Sequence, residues 1–196
     1  MPKHIYIDNK IAPYNKKIQV SSDKSLSIRT ILLASQAVGI SKISNLLESE
    51  DVLNTLKTIK KLGINYKKKK KYYEIYGFGL NGFSPKNNTI INAGNSGTLG
   101  RLILSLLTKT DKKIKLIGDK SLSKRDFSRV TEPLSKFGAQ FKLRKGKYLP
   151  LMIFGSQKLK SINFIEKKGS AQCKSSVIFG GMRAIGTTRI RAKKSR

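Results

Sequence analysis

The 196-residue chain contains one cysteine, Cys173, and one histidine, His4. A lone cysteine excludes an internal disulfide, and the two residues fall short of the ligands of a typical zinc site, so no metal is expected. Nucleophilic triads lack their parts as well, because the only imidazole has no cysteine beside it. Long hydrophobic runs are missing. No stretch approaches the ~20 apolar residues that a membrane helix needs, and "MPKHIYIDNK" lacks the basic-then-apolar layout of a secretory signal. A cytoplasmic protein without a membrane partner is expected. Acidic residues are scarce: 11 Asp and Glu stand against 41 Lys and Arg, a net charge of +30 that favours anionic partners. Nucleic acid is the first to weigh. Lysines, however, far outnumber arginines and lie in every segment, whereas base-reading proteins concentrate arginine and aromatics on one element. They read as a solvated surface, Lys67 to Lys71 as a charged hairpin, and no nucleic-acid partner is expected.

What is present suffices for a core, with 38% hydrophobic and 8% aromatic residues in a length that suits one or two domains. Periodicity predicts a recurring order of elements. A strand "KIQV" (17–20) leads into a helix over "LSIRTILLASQAVG", in which Leu26, Ile28, Ile31, Leu32, Leu33, Ala37 and Val38 cover most of the surface, so it should be buried. A strand "KISNLL" follows. Ser49 is then the expected N-cap of a helix whose stripe is Val52, Leu56, Ile59 and Leu62, with Gly63 just past its end. Strands "INYKK" and "YYEIYGF" close a βαβαββ unit.

The order restarts at "TIINAG", with a mostly apolar helix "TLGRLILSLLT", a strand "KIKLIGD", a helix marked by Phe127, Val130, Leu134 and Phe137, and strands "AQFKLR" and "YLPLMIFG". Pro133 should weaken that second helix or shift its start. A third unit opens with "SINFIEKKGS", continues with the helix "KSSVIFGGMRAIG" and reaches the strand "TTRIRA". The pentapeptide DKSLS occurs at Asp23 and again at Asp119, yet the copies precede a first helix in one unit and a second helix in the next. The positional counterparts of "SSDKS" are "AGNSGT" and "GSAQ".

These three loops run from a strand into a buried helix, where free N–H groups and the positive helix end favour anions. Gly94 and Gly97 allow close backbone approach, and Ser25, Ser96, Thr98 and Ser170 supply hydroxyls. Lys24, Arg29 and Arg125 add cations suited to phosphate or carboxylate, so a small polyanion fits better than a polymer. Glu48, Glu50 and Asp51 read as helix-terminus residues.

In order and spacing, "DKSLSIR" (23–29), "NAGNSGTLGR" (92–101), "GDKSLSKR" (118–125) and "GSAQCKS" (169–175) resemble the N-terminal half of the EPSP synthase family, over nearly the whole chain from about Lys17. The resemblance implies an α/β (α+β) fold of repeated βαβαββ units, an inside-out α/β barrel of the enolpyruvyl transferase type, truncated in the third unit. Residues 1–16 would belong to another, incomplete domain. Residues 17–196 would be a substrate-binding domain of units at about 17–82, 88–155 and 160–196, the last incomplete.

It also implies transfer of the enolpyruvyl group of phosphoenolpyruvate to the 5-hydroxyl of shikimate 3-phosphate, releasing phosphate, by a monomeric enzyme without a cofactor. Lys24, Ser25, Arg29, Ser170, Ala171, Gln172 and the terminal Arg196 match shikimate 3-phosphate positions. Lys24, Gly97, Arg125 and Gln172 match phosphoenolpyruvate positions, and Lys24 is the catalytic candidate. Acid and base come largely from the family's C-terminal half, so the fragment alone is expected to be inactive. The first motif departs from the family in having Ser21 and Ser22 where Pro-Gly or a similar turn is usual. Two alternatives share the fold: the UDP-N-acetylglucosamine enolpyruvyl transferases, whose loop cysteine has no match here, and RNA-binding or RNA-end-processing proteins, whose histidine motif is absent.

Overall fold

Small polar residues start three helices by accepting a backbone N–H three positions on. Asp23 accepts from Leu26 (2.6 Å) at α1, Lys24–Ala34; Ser96 from Leu99 (3.2 Å) at α3, Gly97–Leu106; and Ser170 from Cys173 (3.2 Å) at α5, Ala171–Gly181. A computed structural model of the chain describes residues 20–167 and 169–192, together with 6, 13, 15 and 17. The expected strand at 17–20, the segment 1–16 and Arg196 therefore lie wholly or largely outside the described residues. The second DKSLS repeats the bond: Asp119 accepts the Leu122 N–H, also at 2.6 Å, ahead of a short 3-10 turn at Leu122–Lys124 whose N-cap position is Ser121. The repeated letters thus encode one local turn in two places.

The remaining elements in chain order are β1 (Val38–Ser44), α2 (Glu50–Lys61), β2 (Tyr66–Lys68), β3 (Tyr72–Phe78), β4 (Thr89–Asn92), β5 (Ile114–Ile117), α4 (Ser128–Lys136), β6 (Gln140–Arg144), β7 (Tyr148–Phe154), β8 (Asn163–Glu166) and β9 (Arg189–Ala192). Among the described residues they form three sheets: β1-β3-β2, β4-β5-β7-β6 and β8-β9. The pairs β4/β5 and β8/β9 are parallel and are bridged by α3 and α5, as a parallel connection requires, whereas the other pairs are antiparallel. Lys69, Lys70 and Lys71 form the exposed tip of the β2/β3 hairpin. The α/β class and, from α1 onward, the expected order of elements are thus observed. No helix of the described residues is long and apolar enough to cross a membrane.

In α3 every residue but Arg101 is buried, and the helix packs against both α1 and α5. The helix α1 departs from expectation. It buries Ile28, Ile31, Leu32 and Ala34, but Leu26 and Leu33 are 64% and 45% exposed. It also ends at Ala34, because the N–H groups of Gln36 and Ala37 turn back to the carbonyls of Leu33 and Ala34 and tighten the last turn. β-branched Val38 and then Gly39, at φ 91°, begin the strand instead, and Val38 is exposed.

The outer helices α2 and α4 bury the predicted stripes: Val52, Leu56, Ile59 and Leu62 in one, Phe127, Val130, Leu134 and Phe137 in the other. Gly63, at φ 91°, stands just past the α2 terminus as expected. Ser49 occupies the α2 N-cap position without making a capping bond, and its buried hydroxyl has no partner. Pro133 lies inside α4 without moving its start, contrary to the expected shift. Burying the four apolar side chains is worth about 6 kcal/mol at the low end, more than the ~3 kcal/mol an internal proline costs. The carbonyl of Arg129, four residues earlier and denied an N–H by the proline ring, accepts the Cys173 Sγ–H at 3.6 Å.

Candidate functional site

The N-termini of α1, α3 and α5 meet at one end of the inner helices. Two adjoining cavities of about 410 and 460 Å³ open there and share Ser25 and Gln172. Arg29, Ser170 and Ala171 line the first; Lys24, Gly97 and Arg125 line the second. Every expected site residue that is described therefore borders this space, and Arg196 is outside the described residues.

Each cation is held by a short contact to a helix start. Arg29 lies in the second turn of α1. Its Nε donates to Ser175 Oγ of α5 (3.2 Å) and its Nη1 to the Ser25 carbonyl (3.1 Å). Arg125, just after the 3-10 turn, donates from Nη2 to Asn95 Oδ1 at 3.0 Å. Lys24 Nζ pairs with Asp51 at 2.9 Å, in the first turn of α2. Asp51 is thus more than a helix-terminus residue, whereas Glu48 is engaged elsewhere, by Lys68 and Tyr73.

Arg101 plays a part that the sequence reading did not assign to it. Its Nη1 donates to Gln172 Oε1 at 2.7 Å and its Nη2 to the Asp126 carbonyl at 3.3 Å, while the guanidinium lies 5.2 Å from the Phe127 ring centroid. Gln172 Nε2 in turn donates to Thr98 Oγ1 at 3.2 Å, so its amide is fixed from both ends. Burial pulls the Arg101 pKa below its ordinary value, and Arg125 and Arg129 add to the effect. Asp126 shifts the other way in charge terms. Burial works to raise its pKa, but hydrogen bonds from Ser128 and the charge of Arg129 outweigh that and leave it lowered. The missed signal was positional, since Arg101 lies one turn into α3 much as Arg29 lies one turn into α1.

Among the described residues, Arg29, Arg101 and Arg125 have no carboxylate within ion-pair distance; of the cations lining the two cavities, only Lys24 and Arg129 have one. Three unneutralised guanidiniums beside three helix N-termini make a site for anions with several charged oxygens. Gly97 keeps it open: a Cβ there would lie 2.9 Å from Arg101 Nη1 and 3.1 Å from Arg125 Nη1. Cys173 is buried and its thiol faces the Arg129 carbonyl, which does not suit a loop nucleophile.

Residues 9–196 match the family described as EPSP synthase (3-phosphoshikimate 1-carboxyvinyltransferase). A 3-phosphoshikimate 1-carboxyvinyltransferase of Vesicomyosocius okutanii is 43% identical over 174 residues, which are 89% of this chain and 40% of that protein. One from Persephonella marina is 40% identical over 183 residues, 93% of this chain and 42% of that protein. A solved EPSP synthase from Acinetobacter baumannii superimposes with a TM-score of 0.85 at 33% identity, covering 92% of this chain and 41% of that one. The chain spans about two fifths of the length of these relatives.

Proposed function

The chain belongs to the EPSP synthase family, and on that premise we propose that it supplies one wall of the active site of an enolpyruvyl transferase acting in the cytoplasm as a monomer. Phosphoenolpyruvate is the donor and shikimate 3-phosphate the acceptor. The acceptor's 5-hydroxyl gives its proton to a base as its oxygen bonds to the enol carbon, while the methylene carbon takes a proton from an acid. Phosphate and a proton then leave the tetrahedral intermediate, and the enol double bond is restored. The observation that carries this reading is the convergence of Arg29, Arg101 and Arg125, without carboxylate partners, on two adjoining cavities. Two cavities suit two polyanionic substrates.

In this reading Ser25, Arg29, Ser170, Ala171 and Gln172, with Arg196, hold shikimate 3-phosphate, and Gly97 and Arg125 hold phosphoenolpyruvate. Gln172 and Lys24 stand between the two. Lys24 exchanges Asp51 for substrate oxygens, an exchange eased by the half-exposure of the Lys24 side chain, which keeps part of its hydration in either partnership. The arginines stabilise charge as it moves onto the departing phosphate, and the helix ends align the hydroxyl with the enol carbon. The acid and base come largely from the part of the full-length protein that this chain does not cover, with Lys24 the catalytic candidate on this side. Residues 17–196 form the substrate-binding domain, in units of about 17–82, 88–155 and 160–196, and residues 1–16 are read as part of a second domain.

The test is phosphate release by the full-length protein that contains this chain, measured with both substrates and with each alone, together with calorimetric titration of shikimate 3-phosphate. Release that requires both substrates is expected. Absence of both release and binding, or turnover of a UDP-sugar acceptor instead, overturns the proposal.

A further inference from the structure

A separate cavity of about 550 Å³ opens at the opposite ends of the inner helices, beyond the last residues of α3 and α5. The ten residues of α3 set it about 15 Å from the site above. Arg183 enters it from just after α5. Its Nη1 donates to the Leu106 carbonyl at 2.6 Å, its Nη2 donates to Gln36 Oε1 at 2.5 Å, and its guanidinium carbon lies 5.8 Å from the Phe83 ring centroid. Its Nε is buried without a partner.

A cation at helix C-termini is favoured by the exposed carbonyls, which accounts for the bond to Leu106. That is incomplete compensation. Two of five N–H groups are used, and among the described residues no carboxylate pairs with Arg183. Burial lowers its pKa to about 10, as expected of a desolvated charge lacking a counter-charge. Lys109 lines the same space and adds positive charge, while Asp111, also on the wall, is taken by Lys112 at 2.7 Å. Phe83 supplies an apolar side, backed by the buried Leu106 and Leu107. The volume falls within the range of small-molecule sites, about 300–1,000 Å³.

We propose that this cavity binds a small carboxylate with an apolar body, the carboxylate on the unused Nη N–H groups of Arg183 beside Lys109 and the body against Phe83. Inorganic phosphate leaves the apolar wall unused and is the poorer ligand.

The test is titration of the full chain with 3-phenylpropionate, with inorganic phosphate in parallel, read by calorimetry and by the Nε–H resonance of Arg183. Saturable binding with a Kd of about 1 mM is expected for a ligand of this size, together with a shift of that resonance. Arg183→Met should weaken binding at least about tenfold, the loss of one charge-assisted contact. Asn81→Trp, at an exposed position on the cavity wall, should do the same while leaving the guanidinium in place. Arg29→Met, at the other end of the helices, should leave it unchanged. No saturable binding, binding that survives both cavity substitutions, loss with Arg29→Met, or phosphate binding as tightly as the carboxylate would each overturn the proposal.

Discussion

Arg101 Nη1 donates a 2.7 Å hydrogen bond to Gln172 Oε1 and so ties the first turn of α5 to the second turn of α3. The bond also decides which way the amide faces, because Nε2 is left to Thr98 at 3.2 Å. Arg101→Met removes the donor and lets the Gln172 amide rotate away from the space between the two cavities. A misplacement of about 1 Å costs about 100-fold in rate, and on the proposed activity kcat/KM of the full-length protein should fall accordingly. Arg101→Lys should recover only part of the loss, since an ammonium cannot serve Gln172 and the Asp126 carbonyl in the same planar geometry. Equal activity in Met and Lys variants would show that Arg101 acts only as bulk.

Gly97→Ala tests how closely the two guanidiniums crowd the start of α3. The added methyl would meet Arg101 Nη1 at 2.9 Å and Arg125 Nη1 at 3.1 Å, both ends of flexible side chains, so the fold should persist while the arginines move. KM for phosphoenolpyruvate should rise roughly tenfold, about 1.4 kcal/mol, with KM for shikimate 3-phosphate changing less. The thermal midpoint should not fall, because alanine is the better helix former. Steady-state kinetics with each substrate varied in turn separates the two effects, and an unchanged KM for phosphoenolpyruvate would reject the assignment of Gly97.

The sequence made the site legible where chemistry and position coincide. Lys24, Ser25, Gly97 and Ser170 stand at helix starts, and three equivalent helix starts mark one shared end of the inner helices. The stripes of α2 and α4 were legible for a similar reason, since their periodicity separates a buried face from a wet one. Burial around α1 was not. Leu26 and Leu33 are as apolar as Ile28, and only tertiary neighbours distinguish them. Hydrogen bonds between distant residues were hidden too: Arg29 with Ser175, and Arg101 with Gln172, are 146 and 71 positions apart. Pro133 misled because propensity was weighed without the burial of Phe127 and Phe137 that outweighs it.

Phe127 links the core to the site, being fully buried at the start of α4 with its ring under the Arg101 guanidinium. A Cβ on Gly100 would lie 3.3 Å from the ring, so the packing there is already close. Phe127→Ala should cost about 3–5 kcal/mol of stability, read as a lower urea midpoint at unchanged m-value. Phe127→Leu should cost less and still loosen Arg101, which would show as a fall in kcat/KM larger than the stability change accounts for. A Leu variant with wild-type kinetics would confine Phe127 to packing.

Acid should weaken the fold through Glu48, whose carboxylate accepts from Lys68 Nζ at 2.7 Å and Tyr73 Oη at 2.8 Å. The bond from Lys68, then that from Tyr73, holds its pKa below the ordinary glutamate value. A carboxyl depressed in the folded state binds protons more tightly when unfolded. Its stabilisation is therefore complete above the ordinary value and is lost as pH falls through the lower, folded one. Lys68 is raised by the same partner, so its contribution is complete below the ordinary lysine value and is lost only as pH rises through the raised one. Glu48→Gln removes the acid-labile part. The difference in urea midpoint between wild type and variant should be present at about pH 7 and shrink toward zero at about pH 3. A difference that stays constant across that range would mean that the carboxylate charge contributes nothing to holding β2 and β3 against the start of α2.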